Sequence, residues 1–140
     1  NDMNPSNAEL TGSEYLLLFR GTHWDNGLSP EEAQRAIANL TRWFEKLGQE
    51  GVIIGGHPLG DKGRTIYPHK PGTITDGPFA ETKEAIGGYV MIRAQSLDAA
   101  AEIARSFPQI QYGTSVEVRP VLEVCPIFER VSQQVSNNAA

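Results

Sequence analysis

Arg20, Arg93 and Arg119 each sit in a short apolar run, and Glu117 and Tyr89 stand close by in the same runs. Three guanidinium groups beside one carboxylate can hold an anionic ligand through paired hydrogen bonds. The same residues can equally form cross-strand ion pairs that only fix an interface, and both readings stay open. Asp76 precedes Gly77-Pro78, where the chain must turn sharply. A carboxylate there serves as a general base if burial raises its pKa; otherwise it closes an Asx turn. His57, in Gly55-Gly56-His57-Pro58-Leu59, is the best placed of three histidines for acid–base work near neutral pH. The alternative is a turn histidine with a local role. His23, His57 and His69 show no metal-ligand spacing, so no metal site is expected. The stretch Gly56 to Lys62 lacks the Gly-Lys-Ser/Thr ending of a phosphate loop.

These residues depend on the elements that carry them. Tyr15 to Arg20 reads as a buried strand ended by Gly21. Ser29-Pro30-Glu31-Glu32 is a capping box with proline in the first turn, and it opens a helix. Ala33, Ile37, Leu40, Phe44 and Leu47 fall on one face of that helix. Val52 to Gly55 is a second strand, with His57 in the turn after it. Arg64–Pro68 and Thr73–Asp76 are two short strands joined through Pro71-Gly72. Gly88 to Ala94 is a clear strand. Ser96-Leu97-Asp98 starts a second helix that buries Leu97, Ala100, Ile103, Ala104 and Phe107, with Pro108 beyond its end. Ser115 to Val121 is a last alternating strand. Residues 1–13 form a polar arm and 132–140 a loose polar tail, which leaves one domain over 14–131.

The order strand-helix-strand, hairpin, strand-helix-strand predicts an α+β fold. Two split βαβ halves form a ferredoxin-like antiparallel sheet with both helices on one face. Alternation sends Val90, Ile92 and Ala94 toward the helices. It sends Tyr89, Met91 and Arg93 to the other face, with Glu117, Arg119 and Val121. The first strand is apolar on both faces, so the second face should be covered in part, most simply by the same face of a second copy.

The chain has 140 residues and a formal charge of −5. It is long enough for one core without metal or disulfide staples. An acidic chain with no basic stripe is not expected to bind nucleic acid. It has no apolar run of the roughly 18 residues that span a bilayer. Its one cysteine, Cys125, excludes an internal disulfide and points to a cytoplasmic protein, although the opening Asn1-Asp2-Met3 leaves a processed upstream segment open. Cys125 lies in an apolar stretch and reads as a packed thiol.

Asp76-Gly77-Pro78-Phe79-Ala80-Glu81-Thr82-Lys83-Glu84, followed by Gly87-Gly88-Tyr89, resembles the hallmark of the DGPF branch of the YCII-related family. Leu97-Asp98, Pro108 and the closing strand Val116 to Val121 continue the resemblance, which covers residues 13–125. It implies a ferredoxin-like fold that pairs face to face as a dimeric α+β barrel with a cleft, and Asp76 beside that cleft. Some relatives in the wider family are dehydrochlorinase-like, with a His–Asp dyad. The matching positions here are Asn39, before Leu40, and Phe107, before Pro108; neither moves a proton. A catalytic role therefore falls to Asp76 and His57, with Arg20, Tyr89, Arg93, Glu117 and Arg119 as ligand-binding candidates. No cofactor is implied. The first expectation is a small-molecule enzyme moving a proton on an anionic or aromatic substrate. The second is a non-catalytic binding or regulatory module, since members of this branch occur near extracytoplasmic-function sigma factors.

Overall fold

The computed structural model describes residues 14–68, 73–76 and 85–139. The elements follow in order: β1 (Glu14–Arg20), α1 (Pro30–Gln49), β2 (Ile53–Pro58), β3 (Arg64–Tyr67), β4 (Thr73–Asp76), β5 (Ile86–Arg93), α2 (Leu97–Arg105), a 3-10 turn (Pro108–Tyr112), β6 (Ser115–Pro120) and α3 (Pro126–Ala139). Four strands form one antiparallel sheet in the order β2-β5-β1-β6, and β3 pairs with β4 in a second, two-stranded sheet. Helices α1 and α2 thus each link two strands that lie apart in the sheet, with a strand from the other half between them. That is the split βαβ arrangement expected of a ferredoxin-like α+β fold.

Both helices cover the same face. Leu17 of β1 stands between Val90 and Val118 in register, and Tyr15, Leu17, Phe19, Val90 and Ile92 are buried there. Trp43 and Leu47 of α1, Ala100 and Ala104 of α2, and Phe107 complete the core. Phe107 anchors it, with its ring centroid 4.4 Å from that of Phe19 and 5.0 Å from that of Trp43. The indole N–H of Trp43 donates to Ser106 Oγ at 2.8 Å, so the large ring is buried with its polar atom satisfied.

The capping box of α1 forms as expected. Glu32 N–H donates to Ser29 Oγ at 3.1 Å, and Ser29 N–H donates to Glu32 Oε1 at 3.0 Å. The buried face of α1, however, is rotated from the expected one. Ala36, Trp43 and Leu47 are buried, whereas Ile37 is 53% exposed and Phe44 38%. The apolar arc of this helix is wide, and Trp43, with a partner for its N–H, decides which part of the arc faces the sheet. Leu97, expected inside, is 50% exposed, because it lies in the first turn of α2, away from the buried Ala100 and Ala104.

Two further differences bear on function. β2 runs on to Pro58, so His57 lies within a strand and not in the turn after it. The pairing to β5 carries it there, after a register shift between Ile53 and Gly55. Residues 126–139 form helix α3, including most of the stretch expected as a loose tail. Ile127, Phe128, Val131 and Val135 give that segment a helical stripe that its polar composition hid, and all four are exposed. No helix among the described residues is long and apolar enough to cross a membrane.

Candidate functional site

Glycine pairs on adjacent strands open the main cavity. In register, Gly88 of β5 stands between Phe19 and Pro58, and Gly56 of β2 stands opposite Val90. Gly88 and Val90 share the helix side of β5, so the missing side chain at Gly88 leaves space under α1. Gly56 has φ +155°, and a Cβ built there would lie 2.6 Å from the Tyr89 carbonyl oxygen, so only glycine fits that close approach. Leu40 and Phe44 of α1 roof the space, Phe107 closes its inner end, and Thr22 and Trp24 reach it from the loop after β1. The result is a cavity of about 450 Å³ with walls that are mostly apolar.

The loop is held in place at both ends. Gly21 turns the chain with φ +73°, and the Thr114 hydroxyl donates to the Gly21 carbonyl at 3.0 Å. The Trp24 ring lies 6.0 Å from that of Tyr112, centroid to centroid.

His57 and Tyr89 face each other across the β2–β5 pairing, and register places Tyr89 beside Leu18, so their side chains lie on the sheet face opposite the helices while their strands border the cavity. His57 Nδ1 and the Tyr89 hydroxyl share a hydrogen bond of 2.9 Å. The bond fixes the imidazole and leaves Nε2 as the second ring position for an acid–base or binding role. His57 is exposed and Tyr89 half-buried, so the pair is open to a ligand.

The arginines do not converge on one point. Arg20 Nη1 lies 2.5 Å from Glu117 Oε1, and Arg119 Nη1 lies 3.2 Å from Glu117 Oε2. The Arg119 hydrogen bond, then that of Arg20, holds the Glu117 carboxyl below its ordinary value of 4.5. In register, Leu18 separates Glu117 from Tyr89, so this ion-pair group and the His57–Tyr89 pair are distinct clusters on the sheet. Arg93 pairs in register with Glu14. It is exposed and lies four residues along β5 from Tyr89, roughly 13 Å at the rise of a strand. Asp76 ends β4 opposite Arg64. Its side chain lies outside the described residues, as do Gly77 to Glu84 and His69.

Trp24, Phe44 and the glycines at 56 and 88 were not singled out from the sequence. Their signal was available in the pairs Gly55-Gly56 and Gly87-Gly88, since glycine inside two strands marks a place where side chains are excluded. What the sequence does not carry is that these strands are neighbours. Asn39 accepts a hydrogen bond from Arg42, and Phe107 is buried against the cavity. Cys125, expected as a packed thiol, is exposed just ahead of α3, because the apolar stretch around it turns away from the core.

An uncharacterised protein of Rhizobium meliloti (strain 1021) is 33% identical to this chain over 110 residues, which make up 76% of this chain and 89% of that protein. The sequence profile of the YCII-related domain matches residues 14–124, from the start of β1 to just beyond β6. With four antiparallel strands, two helices on one face and that match over most of its length, the chain belongs to the YCII-related domain family.

Proposed function

We propose that this YCII-related domain binds a small molecule in the cavity beneath α1. The observation that carries this reading is the mostly apolar cavity of about 450 Å³ that Leu40 and Phe44 roof over the glycines of β2 and β5. A concave apolar space of this kind is what a small-molecule site needs. His57 and Tyr89, hydrogen-bonded on the opposite sheet face, stand outside that space. Asp76 joins the proposal as a candidate base only through the family resemblance.

The test is thermal unfolding against a panel of small phenols and organic acids, followed by turnover assays on each hit. A compound that binds only the folded state at a hundredfold excess over its Kd raises stability by about 2.7 kcal/mol. His57→Ala and Tyr89→Phe, on the opposite sheet face, should leave binding in the cavity unchanged. Binding without turnover in the parent protein would instead favour a regulatory binding module. That second reading draws on Asn39 and Phe107, which place no titratable group where the family resemblance implies a His–Asp dyad in some relatives.

We also propose that two copies pair through the outer sheet face. Leu16, Leu18 and Met91 lie there half-buried, on the side opposite the helices.

A further inference from the structure

We propose that the ligand of this cavity is an uncharged aromatic molecule, and that the cavity discriminates against the matching carboxylate. The inference rests on the small-molecule reading above and narrows it. Among the described residues, no Asp, Glu, Lys or Arg lines the cavity. A carboxylate entering it would lose water and meet no cation among the described residues, which disfavours the charged form strongly.

The arginines that could have neutralised an anion are placed elsewhere. Arg20 and Arg119 bracket Glu117, and Arg93 stands at the Glu14 end of β1. The walls favour a flat ring. Phe19, Phe44 and Phe107 come from the sheet, α1 and the end of α2, and Trp24 stands over the space from the loop. Aromatic surfaces of this kind gain most from another ring placed edge-on or offset.

Apart from Tyr89, whose hydroxyl lies with His57 on the opposite sheet face, the hydroxyls of the described lining are those of Thr22 and Thr114, and the Thr114 proton is engaged by the Gly21 carbonyl. A ligand hydroxyl or ring N–H, as in a simple phenol or an indole, suits such a wall better than a charge.

The test is calorimetric titration of the full chain at pH 7 with p-cresol and with p-toluate. These share a ring and a methyl group and differ in charge. The expected result is p-cresol binding at least about tenfold tighter than p-toluate, since only the anion carries the desolvation cost. Phe44→Ala and, independently, Trp24→Ala should each weaken p-cresol; both side chains are partly exposed, so both variants are expected to fold. If p-toluate binds as tightly as p-cresol or more so, and both variants weaken it, the ligand class is wrong while the cavity reading stands. If p-cresol binds and neither variant weakens it, the cavity is not its site and the inference fails. If neither compound binds, and indole also fails, both the class and the cavity reading fall.

Discussion

Glu117 sits between two guanidinium groups and keeps its charge to lower pH than an ordinary carboxylate. Its folded pKa lies below the unfolded one, so its contribution to stability is present above about pH 4.5 and is lost as pH falls through the folded value. Glu32 adds in the same direction, through its hydrogen bonds to the backbone and side chain of Ser29. Unfolding of Glu117→Gln by denaturant, measured between pH 3 and 7, should show a shallower acid loss than the parent. An equal slope would mean that the ion pairs seen here contribute nothing in solution. At this scale the sequence was legible in part. His57 was singled out as the best placed of three histidines, with a local turn role as the alternative. Arg20, Glu117 and Arg119 could be placed on one face from alternation alone. The His57–Tyr89 bond was not legible, because it depends on β2 continuing past its glycines and on the register with β5.

Capping and period marked the elements well, and packing then decided which side of each was buried. The start of α1 followed from Ser29, Pro30 and Glu32 alone. Its buried face did not, because eight apolar residues spread around a wide arc leave the choice to Trp43 and its partner Ser106. Helix α3 was hidden for the opposite reason: polar residues dominate its second half, and its stripe of Ile127, Val131 and Val135 has little around it. Those three residues and Phe128 are exposed, so α3 adds little to the fold of one copy. Ending the chain after Cys125 should change the unfolding free energy by no more than about 0.5 kcal/mol, the usual scale for exposed positions. A loss of several kcal/mol would show that α3 packs against the domain or against a second copy.

Among the described residues the four-stranded sheet has one face packed on α1 and α2 and one that is not, and this difference was readable from the start. Val90 and Ile92 alternated with Tyr89, Met91 and Arg93, and β1 was apolar on both sides. The strand order β2-β5-β1-β6 followed from the repeated strand-helix-strand pattern and the rules of connection. The cavity did not follow, since it exists only where glycines of two strands distant in sequence become neighbours. The proposed pairing through the open face predicts a dimer in sedimentation velocity, and Leu18→Asp should convert it to a monomer that stays folded. A parent protein that is monomeric at high micromolar concentration would remove that interface. The most direct test of the central claim is a two-dimensional amide NMR spectrum recorded as p-cresol is added. Binding in the cavity predicts that the amides of Gly56, Gly88 and Trp24 move together and saturate at one concentration, while those of Arg93 and Glu117 stay still. Shifts confined to the outer face around Glu117, or none at the glycines, would contradict it.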